Sequence, residues 1–280
     1  MTWRKYSATE LEREYTPASR VANIQTYLDD YATRGDHARQ TISHQQVKYG
    51  EHPDEWLWHA PIDSQKTESR KIFVFVHGGF WRRLSANDGT FLTPAWRNLG
   101  YDTASINYSL CPNESLEKLV DQTKRAIQFL TTMYKPAEML LVGHSAGAHL
   151  VAMNLCTENE TKYAGALLIS GIYDLEPILH TSINNDIKLN ETTANNLSPI
   201  KQLVRNTTLK VKNNTPVAIV WGENETDEFK RQSTEFATAW SVSNPGGPSR
   251  TKEIASRNHF DVLDDLAKRD VIDLLGAQKP

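Results

Sequence analysis

Short apolar runs alternate with longer segments of helical periodicity along most of the chain. The clearest run, Lys71–Val76, is apolar at every position after the lysine, which is typical of a strand buried on both faces of a parallel sheet. This alternation predicts a single α/β domain over residues 1–280, in which helices cover both faces of a mostly parallel sheet. The predicted strands are 71–76, 103–108, 139–143, 164–170, 216–221 and 250–255, and the predicted helices are 91–99, 115–134, 146–156, 227–240 and 261–275.

Three segments depart from this alternation. Residues 1–45 are polar with scattered aromatic side chains, and we expect them to form an N-terminal arm that packs on the domain, with a short helix capped by Ser7 or Thr9. Residues 46–60 are predicted to form antiparallel strands joined by a turn. Residues 176–212 are rich in asparagine and weakly periodic, which predicts a small helical insert or cap between two strands.

A serine motif lies where the predicted strand 139–143 meets the helix that follows it. The sequence Gly-His-Ser-Ala-Gly at residues 143–147 has the form Gly-x-Ser-x-Gly. In a sharp turn from strand to helix the central serine is held in a strained backbone conformation, so only small neighbours fit around it. Placed between a strand-like run and a helical one, the motif predicts that Ser145 is a catalytic nucleophile.

The predicted nucleophile needs an adjacent base, because a serine hydroxyl is a poor nucleophile near neutral pH. Three histidines follow Ser145 in the sequence. His149 falls one helical turn after the serine and is expected to be structural, and His180 falls in the predicted insert. His259 follows the last predicted strand, where the base of this motif belongs, so His259 is the predicted base.

The acid that orients this base is expected in the loop after the strand 216–221, where four carboxylates compete. Glu225 stands three residues after Gly222, which is the usual spacing, and we take it as the acid. Asp227 is the alternative, although it also fits the N-cap of the helix that follows. A histidine without a carboxylate partner would adopt the wrong tautomer, so one of these acids is expected to point inward.

The sequence His-Gly-Gly-Phe-Trp at residues 77–81 follows a buried strand and predicts an oxyanion hole. Glycines allow backbone N–H groups to approach a developing negative charge without a Cβ in the way. We assign Gly78 and Gly79 as donors, joined by the N–H of Ala146. Aromatic residues after a buried strand more often pack in the core, but some here are expected to form the substrate pocket. The predicted pocket residues are His77, Phe80, Trp81 and Tyr108.

Composition and charge argue against several other classes of function. The chain has 31 basic and 34 acidic side chains, a balance that gives no electrostatic reason to expect nucleic-acid binding. Because no apolar run is long enough to span a bilayer and the first residues lack a signal-like apolar core, we expect a cytoplasmic protein without a membrane partner. Cys111 and Cys156 are expected to be reduced, buried thiols. The sequence has no metal-binding motif and no glycine-rich phosphate loop, so neither a metal nor a cofactor is expected.

With these residues placed, the chain resembles an α/β-hydrolase of the esterase and lipase type, and more closely the kynurenine formamidase (arylformamidase) family. The two active-site motifs, at 77–81 and 143–150, are shared with many esterases. The segments Leu-Glu-Arg-Glu-Tyr-Thr-Pro at 11–17, Ser-Gly-Ile-Tyr-Asp-Leu-Glu-Pro at 170–177 and Glu-Phe-Lys-Arg-Gln-Ser at 228–233 are more specific to that family. In the resemblance the family's acid falls at position 225, where the animal enzymes have aspartate and this chain has glutamate.

The resemblance implies a serine hydrolase that cleaves N-formyl-L-kynurenine to L-kynurenine and formate, a step of tryptophan breakdown. It implies an α/β-hydrolase fold, the triad Ser145, Glu225 and His259, a small aromatic formamide as substrate, and no cofactor. Two other functions are open: a carboxylesterase for small acyl esters, and a non-catalytic ligand-binding member of the fold, which is expected to have a broken triad. A homodimer is compatible with the sequence.

Overall fold

The centre of the molecule is an eight-stranded sheet. A computed structural model describes residues 3–62, 70–157, 160–205, 214–247 and 249–276 of the chain. The strands are β1 (Gln45–Lys48), β2 (Trp56–Ala60), β3 (Lys71–Val76), β4 (Tyr101–Ile106), β5 (Met139–His144), β6 (Gly165–Ile169), β7 (Val217–Gly222) and β8 (Ser249–Ile254). They follow the spatial order β1-β2-β4-β3-β5-β6-β7-β8.

All strands from β3 to β8 run parallel, which confirms the predicted mostly parallel sheet. The two strands predicted within 46–60 pair with each other in antiparallel register, and β2 continues the sheet by pairing antiparallel with β4. Because parallel strands end at the same edge of a sheet, the turns that follow β3, β5, β6, β7 and β8 meet at one rim. The candidate site is built from these turns.

Strand β3 illustrates why the sheet is buried on both faces. Ile72, Val74 and Val76 pack into one apolar core, whereas Phe73 and Phe75 point to the other face and join a second core. None of the five side chains is more than 2% exposed. A continuous apolar run of this kind is stable only where helices cover both faces.

Helices supply that cover. They are α1 (Ala8–Glu14), α2 (Ile24–Thr41), α3 (Thr93–Asn98), α4 (Leu116–Leu130), α5 (Ala146–Thr157), α6 (Asn184–Ile187), α7 (Glu191–Asn196), α8 (Pro199–Arg205), α9 (Asp227–Ser243) and α10 (Arg269–Ile272). Side chains of α4, α5 and α9 contribute to the first core, and side chains of α2, α3 and α10 contribute to the second. The α4 helix has a clear apolar face that includes Leu119, Ile127 and Leu130, as its sequence pattern predicts.

The N-terminal arm contains more regular structure than its sequence pattern predicts. The α1 helix begins after Ser7, whose side chain accepts the backbone N–H of Glu10 while the Glu10 carboxylate accepts the N–H of Ser7. The 18-residue helix α2 is not predicted. Its only buried residues are Tyr31, Gly35 and Ala38, and so narrow a face of aromatic and small residues leaves little helical periodicity in the sequence.

Two later segments differ in detail from their predictions. Between β6 and β7 the chain forms the short helices α6, α7 and α8, and residues 206–212 of the predicted insert lie outside the described residues. The helix predicted over 261–275 is interrupted, because Lys268 has extended backbone (ψ 142°) and α10 starts only after it. Within the described ranges, no helix has both the length and the apolar character that crossing a membrane requires.

Candidate active site

Ser145 lies in a tight turn between β5 and α5. Its φ of 54° is in the left-handed region, which is strained for a residue with a side chain. A Cβ at Gly143 would lie 2.4 Å from the carbonyl oxygen of Gly147, and a Cβ at Gly147 would lie 2.0 Å from the carbonyl oxygen of Val76. The N–H of Ser145 donates to the carbonyl oxygen of Ile169 at 2.8 Å. Close backbone packing therefore holds the serine at the rim of the sheet.

His259 and Glu225 form a buried hydrogen-bonded pair at the same rim. The distance from Nδ1 of His259 to Oε2 of Glu225 is 2.9 Å, and both residues are 4% exposed. The other carboxylate oxygen accepts the N–H of Gly222 at 2.8 Å and the hydroxyl of Ser170. Because an ionised carboxylate can only accept, the pair fixes the proton on Nδ1 and leaves a lone pair on Nε2.

Asp227, the alternative acid, takes a different position. It is the first residue of α9, and Thr226 occupies the N-cap position that the sequence suggests for Asp227. Asp227 lines an outer groove together with Lys230 and Asn258, and it does not line the cavity that contains Ser145. The geometry therefore brings Glu225, and not Asp227, to the histidine.

Ser145 and His259 line one cavity of about 200 Å³. The glycine turn after β3 borders the same cavity: a Cβ at Gly78 would lie 3.0 Å from the Cβ of Ser145. Gly79 lines the cavity and has a φ of 97°, a conformation that favours glycine. Three segments that are distant in the sequence thus meet at one small space.

The backbone N–H groups of Gly78, Gly79 and Ala146 are the predicted oxyanion donors. Within the described residues, none of these three groups donates a hydrogen bond to a protein acceptor. Ala146 is the first residue of α5, where backbone N–H groups have no partner within the helix. An oxygen held here would also lie near the positive end of the α5 dipole.

His77 and Tyr108 lie behind the glycine turn instead of lining the cavity. Their rings stack with centroids 4.2 Å apart, and each residue is 1% exposed. The Tyr108 hydroxyl donates to the carbonyl oxygen of His77 at 2.8 Å, and Nδ1 of His77 lies 2.9 Å from the carbonyl oxygen of Gly78. Both side chains fix the shape of the turn, so the structure does not support the expectation that they contact substrate.

Trp81 is also buried in the core, contrary to the expectation that it forms a pocket wall. Gly79, Phe80 and Trp81 all have positive φ values, which turn the chain so that Phe80 lines the cavity and Trp81 enters the core. Nε1 of Trp81 donates to Nδ1 of His149 at 3.1 Å, and Nε2 of His149 donates to the carbonyl oxygen of Leu197 at 2.8 Å. Burial lowers the pKa of His149 to about 4, which keeps it neutral in this structural role.

His144, inside the serine motif, contacts His259 directly. Its Nε2 donates to the backbone carbonyl oxygen of His259 at 2.8 Å, and the two rings lie 4.8 Å apart. Burial and the neighbouring His259 hold the pKa of His144 well below its usual value. A neutral His144 therefore anchors the backbone of His259 without competing for the proton of the serine.

The N-terminal arm and the insert form a second wall of the cavity, which we call the arm wall. None of its members is predicted from the sequence as a pocket residue. The side chains of this wall are mostly apolar or aromatic, so they suit a flat, apolar part of a ligand. The arm wall consists of Tyr15, Pro17, Ile24, Leu28 and Tyr31 from the arm and Ile183 from the insert.

Long-range hydrogen bonds hold the arm wall against the rest of the chain. The Tyr15 hydroxyl donates to Oε2 of Glu228 at 2.9 Å and accepts Nε2 of Gln232 at 2.8 Å, and both partners belong to α9. The Tyr31 hydroxyl donates to the carbonyl oxygen of Phe260 at 2.6 Å. The hydroxyls of both tyrosines are thus committed to protein partners, and their rings face the cavity.

Ser170, whose hydroxyl donates to Glu225, is not predicted from the sequence. Ser170 follows β6 directly and has a φ of 50°, so its backbone lies in the same left-handed region as that of Ser145. The one available signal was a Ser-Gly pair directly after an apolar run, at the end of a neighbouring strand. The sequence indicates the arm wall even less clearly, because its only sign is a set of aromatic residues scattered through a polar segment.

The two cysteines lie outside the cavity. Both are free and buried, as predicted, and burial raises the pKa of the Cys111 thiol to about 11. In the part of the chain that the structure describes, no group of three His, Cys, Asp or Glu residues is placed to hold a metal ion.

Comparison with known proteins places the chain in a family. Residues 61–240 match the BD-FAE family model. The chain is 30% identical over 278 residues to the kynurenine formamidase of Danio rerio, and the match covers 94% of this chain and 93% of that protein. The chain belongs to the BD-FAE family and to the kynurenine formamidase family. The kynurenine formamidase of Drosophila melanogaster, at 27% identity over 92% of each chain, is a more distant relative.

Solved structures show the fold of this member of the kynurenine formamidase family. A proposed thioesterase from Silicibacter sp. TM1040 superposes with a TM-score of 0.82 at 23% identity, covering 96% of this chain and 99% of the other. Esterase B from Lactobacillus rhamnosis superposes with a TM-score of 0.67 at 14% identity, covering 92% of each chain. Such low identities carry the fold alone, and they confirm the predicted α/β-hydrolase fold.

Proposed function

We propose that the chain hydrolyses N-formyl-L-kynurenine to L-kynurenine and formate. The observation that supports this most strongly is the 2.9 Å pair of His259 and Glu225 at a cavity that Ser145 also lines. The similarity to kynurenine formamidases over nearly the whole chain supports the choice of a formamide as substrate. The cytoplasmic location and the oligomeric state stay predictions from the sequence.

The acylation step follows from the tautomer of the histidine. With the proton of His259 fixed on Nδ1 by Glu225, the Nε2 lone pair accepts the proton of the Ser145 hydroxyl. The serine oxygen attacks the formyl carbon, and the carbonyl oxygen becomes an oxyanion that accepts hydrogen bonds from the N–H groups of Gly78, Gly79 and Ala146. His259 then returns the proton to the nitrogen of the aryl amine, the C–N bond breaks, and a formyl ester remains on the serine.

Deacylation repeats the same proton transfers with water. The Nε2 atom of His259 takes a proton from a water molecule that attacks the formyl ester, and the oxyanion again lies at the three backbone N–H groups. Collapse of this intermediate releases formate and returns the proton to the Ser145 oxygen. Because a formyl group is small, most of the cavity is free for the aromatic leaving group, which the rings of Phe80, Tyr15 and Tyr31 suit.

A comparison of two substrates tests the proposal. The purified chain is expected to hydrolyse N-formyl-L-kynurenine with a higher kcat/KM than p-nitrophenyl acetate, and Ser145→Ala is expected to lower kcat for both by at least about 10⁴-fold. The control is a circular dichroism spectrum of Ser145→Ala, which should match that of the unmodified chain if the variant is folded. An ester preference of several orders of magnitude would instead assign the chain to the carboxylesterases for small acyl groups. Full activity in Ser145→Ala would remove the serine mechanism.

A further inference from the structure

Besides His144, which burial keeps neutral, four side chains that carry or can carry charge line the cavity: Glu12, Arg82, Arg83 and His259. Three of them have protein partners. Glu12 accepts the N–H of Ser182 at 2.7 Å and also its hydroxyl, and His259 is bonded to its acid. Arg82 forms an ion pair with the Asp186 carboxylate. These three groups are therefore largely satisfied before any ligand enters.

Arg83 differs from the other three. Its side chain is exposed, and none of the described residues gives its guanidinium group a hydrogen bond or an ion pair. The hydroxyls of Tyr15, Thr16 and Tyr31 in the same cavity donate to protein acceptors. Arg83 thus brings an uncompensated positive charge to a cavity whose other walls are mostly apolar or already satisfied.

The backbone of Arg83 packs against the glycine turn after β3, which contains Gly79. The N–H of Arg82 donates to the carbonyl oxygen of Gly79 at 3.1 Å, so the chain folds back on itself here. A Cβ at Gly79 would lie 2.2 Å from the carbonyl oxygen of Arg83, which means that the two backbones are in direct contact. The charge of Arg83 is therefore carried by the same short loop that presents a predicted oxyanion donor.

We propose that Arg83 binds the carboxylate of the substrate, so that the enzyme selects aryl formamides that carry an acidic group over neutral ones. A guanidinium group presents parallel N–H donors that match the two oxygens of a carboxylate, and such pairs are stronger than neutral hydrogen bonds. The inference rests on the proposed formamidase function, whose substrate joins an aromatic ring to an α-amino acid. The serine acts on the formyl end while Arg83 holds the acidic end, and the arm wall covers the ring between them.

Kinetics with a charged and a neutral substrate test the proposal. Arg83→Gln is expected to raise KM for N-formyl-L-kynurenine at least about tenfold and to change kcat much less, since the contact is made equally in the ground state and the transition state. The variant is expected to leave kcat/KM for formanilide, which has no carboxylate, unchanged. Arg83→Lys is expected to fall between the two, because it keeps the charge and loses the paired donors.

Inhibition by product-like compounds gives a second readout that does not require formamide turnover. With p-nitrophenyl acetate as the reporter substrate, Arg83→Gln is expected to weaken inhibition by L-kynurenine at least about tenfold. It is expected to leave inhibition by 2-aminoacetophenone, which has the same aryl ketone without the amino-acid group, unchanged. Arg269→Gln is the matched control, because it removes the same charge from a side chain on α10 that is 91% exposed and does not line the cavity.

The outcomes separate this inference from the function on which it rests. If the unmodified enzyme cleaves N-formyl-L-kynurenine but Arg83→Gln alters charged and neutral compounds equally, or alters neither, the carboxylate role of Arg83 is wrong and the formamidase function stands. If Arg269→Gln weakens inhibition by L-kynurenine as much as Arg83→Gln does, the effect comes from the net charge of the protein, and the proposed contact of Arg83 with the carboxylate is again wrong. If the unmodified enzyme does not cleave the formamide, the proposed function fails first.

Discussion

The two walls of the cavity are held by different kinds of contact. On the nucleophile side, glycines at 78, 143 and 147 let backbone segments pack against one another, and neutral histidines support them from behind. On the arm side, Tyr15 and Tyr31 reach partners more than 200 residues away along the chain. Local backbone geometry therefore specifies the position of Ser145, whereas long-range side-chain contacts specify the shape of the ligand space. Changes to the arm wall should therefore alter substrate binding with little effect on the chemical step, and changes on the nucleophile side should do the reverse.

The largest effect is expected on the nucleophile side of the cavity, when Glu225 no longer supplies a carboxylate to His259. Glu225→Gln keeps the size of the side chain but replaces a carboxylate with an amide, which no longer fixes the productive tautomer of His259, so kcat is expected to fall about 10³–10⁴-fold. Asp227→Asn is the matched control and is expected to change kcat little, since Asp227 does not contact the histidine. Steady-state kinetics on both variants measure this, and a loss in the second variant alone would reverse the assignment.

The next effect concerns the backbone packing itself. Gly147→Ala places a Cβ about 2.0 Å from the carbonyl oxygen of Val76, and backbone on both sides leaves little room to adjust. We expect the free energy of unfolding to fall by about 3 kcal/mol or more, with loss of activity on every substrate. Gly165→Ala is the control, because its Cβ would approach a side-chain atom of Leu275 at 3.1 Å and would come no closer than 3.5 Å to any backbone atom. Urea unfolding distinguishes them, and equal losses would mean that backbone contact at position 147 is not decisive.

Because His77 and His149 are buried as neutral side chains on the nucleophile side of the cavity, we expect the stability of the chain to depend on pH. Burial lowers the pKa of both His77 and His149 from 6.5 to about 4. Between these values the unfolded chain binds protons that the folded chain does not, so stability rises with pH through this window and is lost as the pH falls from 6.5 to about 4. Each histidine accounts for up to about 3 kcal/mol of the stability that is lost by the acid end of this window.

His149→Gln is expected to remove part of this dependence. Urea unfolding of the two proteins at pH 7 and pH 4.5 should therefore show a smaller difference between the two pH values for the variant than for the unmodified chain. Comparing each protein with itself corrects for any stability that the substitution costs at pH 7. An unchanged difference would show that His149 is not the group that titrates.

The smallest effect is expected at the arm wall. Tyr15→Phe removes the hydroxyl that joins Glu228 and Gln232 and should cost about 1–2 kcal/mol of stability. We expect KM for N-formyl-L-kynurenine to rise severalfold while kcat/KM for p-nitrophenyl acetate stays the same, because the small ester needs little of this wall. Tyr101→Phe is the control, since no described residue bonds its hydroxyl. Equal damage to both substrates would contradict the separation of the two walls.

The same contrast explains which features the sequence predicts. Strand β3, the serine motif and the spacing from Gly222 to Glu225 are local patterns, and each is found within one or two residues of its predicted position. The formamidase family and its fold are confirmed by the comparisons. All of these features depend on short stretches whose periodicity or spacing carries the information.

Other features depend on geometry that no local pattern records. Trp81 enters the core only because three successive residues adopt positive φ, which a run of Gly-Phe-Trp does not reveal. The α2 helix buries too few residues to produce a periodic signal. The arm wall faces the cavity because of contacts with α9 and with residue 260, and these partners are remote in the sequence.

The bond between Tyr31 and Phe260 spans 229 residues of chain. A ribosome that adds about 5–20 residues per second needs about 10–45 s to cover that interval. Throughout this time Tyr31 has been synthesised but lacks the carbonyl group that its hydroxyl will bond, and Tyr27 lacks the ring of Phe260 on which it stacks. The order of translation thus leaves this part of α2 open to chaperone binding until residue 260 has been made, even after residues 86–92 are present.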